Sequence, residues 1–475
     1  MILSKNPMFD IKKKIHFIGI GGIGMSALAS ILSDKGFKVS GSDLSENYII
    51  KKLKKKKITV HLGHSKSNLK NIDIVVHSSA IKKNNIELKF AKKNKIPIYS
   101  RAMMLADVMK LKSSITVSGS HGKTTTTSLI ASILERSNHD PTIINGGIIN
   151  GLNLNAKLGK GEWLVAEADE SDGSFVYLPS TIGIINNIDL EHTDYYTDLN
   201  HLKKAFIRYA KNIPFFGLLF LCTDDKNVVD IKKRLFSQKI ITYGLNSVAN
   251  FSALNLKTLV KKNKFFTTFD LIENFKRKKI IKNFILPLVG KHNVQNCLAA
   301  ISLTRSLNIP YAKIKKSISE FQGVKRRFSI LSNKNGNLII DDYAHHPSEI
   351  KATLNSLKLI SKNKIITIIE PHRFSRLSSF LSDFIKSLDG SDSIFVLPVY
   401  SAGEKNRRKI NSLSFSKLLK KKFKKKFISF EKNEKNLFEN LKKIISPGDN
   451  IIFLGAGKST IIAERFCKYL GLNND

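Results

Sequence analysis

Apolar residues along this chain fall into two alternating rhythms. Short unbroken runs read as buried strands, and longer stretches with apolar positions three and four apart read as helices. The run Ile15-His16-Phe17-Ile18 leads through a glycine-rich turn into a helical stretch over residues 25–35, and residues 37–42 return as a strand. Further strands are predicted at 72–77, 96–99, 163–166 and 181–187, and a helix over 128–134 follows the strand that ends at Val117-Ser118. Late in the chain, strands at 338–340, 364–369, 393–397 and 450–454 again alternate with helical segments. Strand and helix in close succession predict an α/β fold on open sheets. Residues 250–287 break the rhythm, alternating apolar and polar positions among many lysines. That pattern predicts an antiparallel extension of the central sheet, with its register open. A length of 475 residues suggests about three domains, the first ending within 101–112.

Candidate chemistry sits where predicted strands end. Gly19-Ile20-Gly21-Gly22-Ile23-Gly24 joins the first strand to the first helix, and Asp43 follows about 20 residues on. This G-x-G-x-x-G pattern suits any ligand with a diphosphate and a ribose, a nicotinamide dinucleotide or a UDP-sugar alike. The segment Gly119-Ser120-His121-Gly122-Lys123-Thr124 is a shortened phosphate loop, with Val117 where the longer pattern has glycine. Lacking Cβ atoms, Gly119 and Gly122 let backbone amides converge on phosphate oxygens at a helix N-terminus. Lys123 would then reach the β and γ phosphates and the Thr124 hydroxyl would hold Mg2+. The acidic segments 167–175 and 188–194 end adjacent strands of the same domain and supply carboxylates for magnesium-assisted phosphoryl chemistry. Ser78-Ser79-Ala80 ends a strand as a ligand contact or an ordinary turn. Asn293 suits either a helix cap or a base edge. Asp341-Asp342-Tyr343-Ala344-His345-His346 also has the composition of a zinc or iron cluster. Arg373 and Arg376, three apart at a helix start, would share a face and could grip a carboxylate bidentately. Gly455-Ala456-Gly457-Lys458-Ser459 imitates a phosphate loop but lacks the upstream glycine spacing, and reads as a strand-to-helix turn, with substrate contact as the alternative.

Composition changes this picture little. The formal charge of +41 would draw in nucleic acid electrostatically. However, the lysines are scattered over solvent faces beside abundant Ile and Asn, with no aromatic-interleaved basic stripe. Biased base composition of the gene accounts for them better than nucleic-acid binding. The three cysteines form no C-x-x-C pair, and no secretory leader or membrane-spanning apolar run is evident, so a cytoplasmic protein without membrane insertion is expected.

Over nearly its whole length the chain resembles the Mur ligase family of peptidoglycan synthesis. The resemblance rests on seven segments in order: 17–26, 119–124, 167–172, Gly290-Lys291-His292-Asn293-Val294-Gln295-Asn296, Gly323-Val324-Lys325-Arg326-Arg327-Phe328, 341–347 and Pro371-His372-Arg373-Phe374-Ser375-Arg376. It implies three α/β domains: a Rossmann-like domain for the UDP-sugar over 1–108, a central P-loop ATPase domain with an antiparallel extension over 109–323, and a second Rossmann-like domain for the amino acid over 324–475. The implied reaction joins L-alanine to the carboxylate of UDP-N-acetylmuramate through an acyl phosphate, releasing ADP and phosphate. By this resemblance Lys123, Glu167, His192 and Arg376 are catalytic, and Thr124, Glu167 and His192 hold Mg2+. ATP would contact Gly119, Ser120, His121, Gly122, Lys123, Thr124, Thr125, His292, Asn293, Asn296, Arg326 and Asp342. The UDP-sugar would contact Gly21, Gly22, Gly24, Ser26, Asp43, Ser78, Ser79, Glu170 and Ser171. The amino acid would meet Tyr343, His346, Arg373 and Arg376. A monomer or weak homodimer that binds no nucleic acid is expected. The competing readings are a relative that loads a murein tripeptide, a nicotinamide dehydrogenase, and a nucleic-acid-binding ATPase.

Overall fold

Three β-sheets arise from these alternating segments in a computed structural model that describes residues 12–472, apart from 79, 246–247, 262–263, 335 and 407–409. The first sheet is parallel throughout, formed by β1 (Lys14–Ile18), β2 (Lys38–Asp43), β3 (Thr59–Leu62), β4 (Ile74–His77) and β5 (Ile98–Ser100) in the order β3-β2-β1-β4-β5. The order reverses at β1, so the crevice at its carboxyl end is where such sheets take ligands. Phe17, Ile18, Val75 and Val76 are fully buried, as expected for parallel strands covered on both faces. The expected boundary region 101–112 begins as a helix, Arg101–Met109, capped by the Ser100 hydroxyl.

The second sheet begins with β6 (Ser113–Ser118), β7 (Thr142–Ile149), β8 (Leu154–Lys157), β9 (Trp163–Glu167), β10 (Ile182–Ile185) and β11 (Leu218–Cys222), ordered β11-β10-β6-β9-β7-β8. Only β8 runs antiparallel within this group, pairing with β7. The antiparallel extension is present. After β12 (Ile240–Gly244), the strands β13 (Phe251–Lys261), β14 (Lys264–Asn274) and β15 (Lys278–Leu286) form a meander. Its register shifts twice, after Leu254 and after Phe269. Asn255 at φ +57° and Asn283 at φ +63° lie beside these shifts, and both bond the Asp270 carboxylate. Asparagine tolerates the left-handed region where most residues do not.

The third sheet comprises β16 (Ser329–Lys334), β17 (Asn337–Asp342), β18 (Ile365–Ile369), β19 (Ser393–Val396), β20 (Phe427–Phe430) and β21 (Asn450–Leu454), ordered β16-β17-β21-β18-β19-β20. All but β16 are parallel. Ile340, Leu354, Phe384 and Phe415 pack one face, while Ile339, Ile366, Phe453 and Phe466 pack the other. By contact density the described residues divide into two units: those up to 188 with 203–242 and 299–314, and 189–202 with 243–298 and from 315 onward. Cys222, Cys297 and Cys467 are buried and free. No helix among the described residues is long and apolar enough to cross a membrane.

Candidate active site

In the first unit, two helices begin without a side-chain cap or an acidic residue in the first turn. Helix Ile23–Asp34 starts after Gly22, and helix Lys123–Arg136 starts after Gly122 at φ +81°. Uncapped first-turn amides together with the helix dipole favour an anion at both points. At the first, Gly19 takes φ +83°, and the Gly21 amide donates to Asp43 Oδ2 at 2.8 Å. A Cβ on Gly21 would stand 2.8 Å from that oxygen, so only glycine allows the close turn. The other Asp43 oxygen accepts the Leu44 amide. Ser26 is buried with its hydroxyl on the Ile23 carbonyl, and the Ser78 hydroxyl accepts the Ala80 amide. Ser79 lies outside the described residues. Arg101, unremarked in the sequence, reaches Asp169 at 3.1 Å, and its guanidinium would meet a Cβ placed on Gly24. The Ser171 amide donates to the same Asp169 carboxylate.

The second anion point is braced more firmly. β6 lies between β9 and β10, so Glu167 and Asn186-Asn187 end the strands that flank the phosphate loop. The Ser120 amide donates to the Asn187 carbonyl at 3.1 Å and the His121 amide to Asn187 Oδ1 at 2.8 Å, while Asn187 Nδ2 returns a bond to the His121 carbonyl. Asn186 Nδ2 donates to Thr126 Oγ1. Gly119, at φ +132°, would bring a Cβ to 3.1 Å from the Asn186 and Asn187 amide nitrogens. Asn186 and Asn187 were predicted only as the end of a strand, and a single chain carries no mark that they clamp a loop some 65 residues earlier. Lys123 Nζ folds back onto the Gly119 carbonyl at 2.6 Å and the Glu170 carboxylate at 2.8 and 2.9 Å. Glu170, expected at the sugar, is thus also the counter-ion of the phosphate-loop lysine, and it is almost wholly buried. Glu167 Oε1 accepts the Gly146 amide at 2.7 Å. Thr124 and Thr125 are buried at the start of the loop helix. The Thr124 hydroxyl at the helix start and the Glu167 carboxylate at the end of the neighbouring β9 are hard oxygen donors of the kind Mg2+ takes, so these residue types fit the expected ion.

In the second unit His192 has φ +53°, and its carbonyl accepts the Tyr195 and Tyr196 amides. Beside it, Glu191 bonds Arg376 Nη2 at 2.8 Å, and both side chains are buried. Arg376 Nη1 also lies 3.0 Å from His372 Nδ1. Arg373 reaches Asp194 at 3.3 Å and Glu404 at 3.6 Å, so the two arginines engage different carboxylates. Burial pushes His372 down to about 3 and His345 down to about 4, which leaves both imidazoles neutral near pH 7. His346 caps helix Pro347–Lys358 in a capping box with Glu349, and its ring packs edge-on against Phe380. Tyr343 lies under the guanidinium groups of Arg326 and Arg327, at 4.7 and 5.0 Å. Asp342 accepts the Phe328 and Ala344 amides at 3.0 and 2.8 Å, and burial raises its carboxyl to about 6. Asp341 is likewise raised to about 6 by burial and takes the Thr460 hydroxyl.

Helix Lys291–Ser306 begins two residues before Asn293, so Asn293 is not its cap. Its amide donates instead to the Val289 carbonyl at 2.8 Å, and Asn296 Nδ2 lies 3.5 Å from Asn293 Oδ1. His292 sits beside Gly290, whose φ of +100° makes the turn before the helix. The 455–459 segment is the strand-to-helix turn expected, between β21 and helix Ser459–Tyr469.

Three family models match in order: the Mur ligase family catalytic domain at 14–113, the Mur ligase middle domain at 117–304, and the Mur ligase glutamate ligase domain at 326–457. A UDP-N-acetylmuramate--L-alanine ligase of Rickettsia bellii is 45% identical over 96% of both chains. Its counterpart in Agrobacterium fabrum is 43% identical over 94% of both. Among solved structures, the UDP-N-acetylmuramate-alanine ligase MurC of Thermotoga maritima superposes with a TM-score of 0.80 at 29% identity, over 96% of this chain and 99% of that one. A murein peptide ligase of Psychrobacter arcticus shares the fold at a TM-score of 0.70 and 21% identity, over 98% of this chain and 100% of that one.

Proposed function

This chain belongs to the Mur ligase family, and from that premise we propose that it is an ATP-dependent amide-forming ligase of peptidoglycan synthesis. It joins the amine of L-alanine to the carboxylate of UDP-N-acetylmuramate. The observation that carries this reading is the pair of uncapped helix N-termini in one unit, each behind a glycine turn. They supply separate seats for the diphosphate of the sugar nucleotide and the triphosphate of ATP.

A carboxylate is a poor acyl donor because its leaving group would be oxide, so the γ-phosphate of ATP is first transferred to it. The alanine amine then attacks the acyl phosphate, forming the C–N bond as phosphate leaves and ADP is released. The chain's task is mostly charge neutralisation and positioning. Lys123, held beforehand by Glu170 and the Gly119 carbonyl, is placed to exchange these partners for phosphate oxygens. Asn187 holds the loop in the shape that presents its amides. Thr124 and Glu167 would hold Mg2+, with His192 as a further candidate, and the ion would neutralise phosphate charge. His292, Asn293 and Asn296 take the adenine, Asp342 the ribose, and Arg326 the phosphates. Arg373 and Arg376 take the amino-acid carboxylate, with Tyr343 and His346 shaping the side-chain pocket. The glycine turn, Ser26, Asp43, Ser78, Ser79, Glu170 and Ser171 serve the UDP-sugar. Domain boundaries fall at 108 and 323, and the enzyme works in the cytoplasm as a monomer or weak homodimer.

The test is ADP release measured with each substrate omitted in turn, using L-alanine or L-Ala-D-Glu-diaminopimelate as acceptor. Turnover that requires UDP-N-acetylmuramate and prefers L-alanine supports the proposal. Preference for the tripeptide, or ATP hydrolysis stimulated by DNA alone, overturns it.

A further inference from the structure

The phosphate-loop-like segment 455–459, which the proposed reaction leaves unused, is already filled by an anion of the chain itself. Glu370, at the end of β18, is buried, and its carboxylate accepts three successive backbone amides: Gly457 at 3.1 Å, Lys458 at 3.0 Å and Ser459 at 3.1 Å. These amides open helix Ser459–Tyr469, which has no side-chain cap of its own. The loop is moulded around the carboxylate. A Cβ on Gly457 would stand 2.7 Å from Glu370 Oε2 and 2.6 Å from Tyr400, and one on Gly455 would stand 2.9 Å from Glu370 Cβ. Burial raises the Glu370 carboxyl and the three amides oppose the rise, the balance of a charge held by dipoles.

The far side of this loop holds Arg326. The Gly455 carbonyl accepts Arg326 Nη2 at 3.1 Å, and the Gly455 amide is tied to the Asp342 carbonyl at 3.1 Å. Arg326 itself is set at φ +65°, a conformation that neighbouring structure must enforce on a non-glycine residue. Its guanidinium rests on Tyr343, while its Nε is buried with no hydrogen-bond partner among the described residues. A loop carbonyl and a ring therefore aim a cation that retains unused donor capacity.

We propose that Glu370 is a positioning residue that stands where a phosphate would stand in the 455–459 loop and, through the Gly455 carbonyl, fixes the orientation of Arg326 on which ATP binding depends. This rests on the proposed role of Arg326. The experiment is steady-state kinetics of the full chain for all three substrates in Glu370→Gln, Glu370→Ala, Arg326→Ala and the double variant Glu370→Gln/Arg326→Ala. Glu370→Gln retains the side-chain volume but replaces one acceptor oxygen by a carboxamide NH2, a donor facing backbone donors. It is expected to raise KM for ATP about 10-fold while KM for L-alanine and UDP-N-acetylmuramate stays within about 2-fold. In Glu370→Ala, acetate is expected to restore the ATP KM saturably. In the Arg326→Ala background, Glu370→Gln should add no further rise. An unchanged ATP KM, an equal rise for all three substrates, or additive effects with Arg326→Ala overturns the proposal. If Arg326→Ala alone leaves ATP KM unchanged, the reading of Arg326 fails and takes the proposal with it. A melting temperature read alongside separates these outcomes from unfolding.

Discussion

Replacing Gly146 by alanine perturbs Glu167, the carboxylate proposed to hold Mg2+, without touching any residue expected to bind substrate. An added Cβ would lie 2.9 Å from both carboxylate oxygens of Glu167 and 3.1 Å from Cδ. Ordinary contact begins near 3.4 Å, so the carboxylate must retreat by about 0.5 Å or rotate, and its 2.7 Å bond from the Gly146 amide lengthens with it. The atom that must move is the far end of a flexible side chain, so folding is little affected. Gly146 is absent from the positive-φ residues and is exposed within β7, and alanine at a compatible backbone position gains about 0.4–1 kcal/mol through the unfolded state. Chemistry is less forgiving, because a misplacement of about 1 Å at a reacting centre costs about 10²-fold. Scaled to that half-ångström retreat, we expect kcat for ADP release to fall by roughly 10-fold, the half-saturating Mg2+ concentration to rise, and UDP-sugar binding by calorimetry and the melting temperature to change little. Unchanged kcat and Mg2+ dependence would refute the assignment of Glu167 to the ion. A large drop in melting temperature would show that the backbone, not the side chain, absorbs the clash.

Lys123→Ala is expected to lower turnover by at least ~10³-fold in the two-substrate assay. It should also cost about 1.5–3 kcal/mol in urea melts, because the buried Glu170 carboxylate loses its charged hydrogen bonds from Lys123. Adding Glu170→Gln should restore that stability but not the turnover. Asn187→Ala removes two side-chain bonds to the His121 backbone, and should lower stability by about 1–2 kcal/mol and raise KM for ATP several-fold, while calorimetric UDP-sugar binding is preserved. For His372, burial lowers the folded pKa from 6.5 to about 3, so between these values the unfolded chain binds a proton that the folded chain refuses. Stability therefore falls as pH drops through that window, with a slope of up to ~1.4 kcal/mol per pH unit from this group. His345 acts in the same direction and the raised Asp341 and Asp342 oppose it, so the comparison is between the native chain and His372→Gln, whose melting should depend less on pH between 7 and 4.5. Equal slopes would refute the reading.

Much of this architecture was written locally. Runs such as Phe17-Ile18 and Ile366-Thr367-Ile368, short and rich in β-formers, read as strands buried on both faces, and Gly19 and Gly122 turn the chain toward the helices at Ile23 and Lys123 by positive φ angles open to few other residues. Because a period-two or 3.6-residue pattern and a glycine turn depend on neighbours a few positions away, the alternating strands and helices and the two glycine turns into uncapped helices were legible along the chain. Tertiary structure alone decided the partners. The chain by itself did not reveal that Asn187 would clamp His121, Gly146 would make room for Glu167, Glu170 would neutralise Lys123, or Glu370 would fill the loop at Gly457. These pairs lie between 21 and 87 residues apart. They meet only because parallel strands bring their carboxyl ends to one edge. There a side chain's role is set by the dipoles and charges it faces, and its sequence neighbours do not report them.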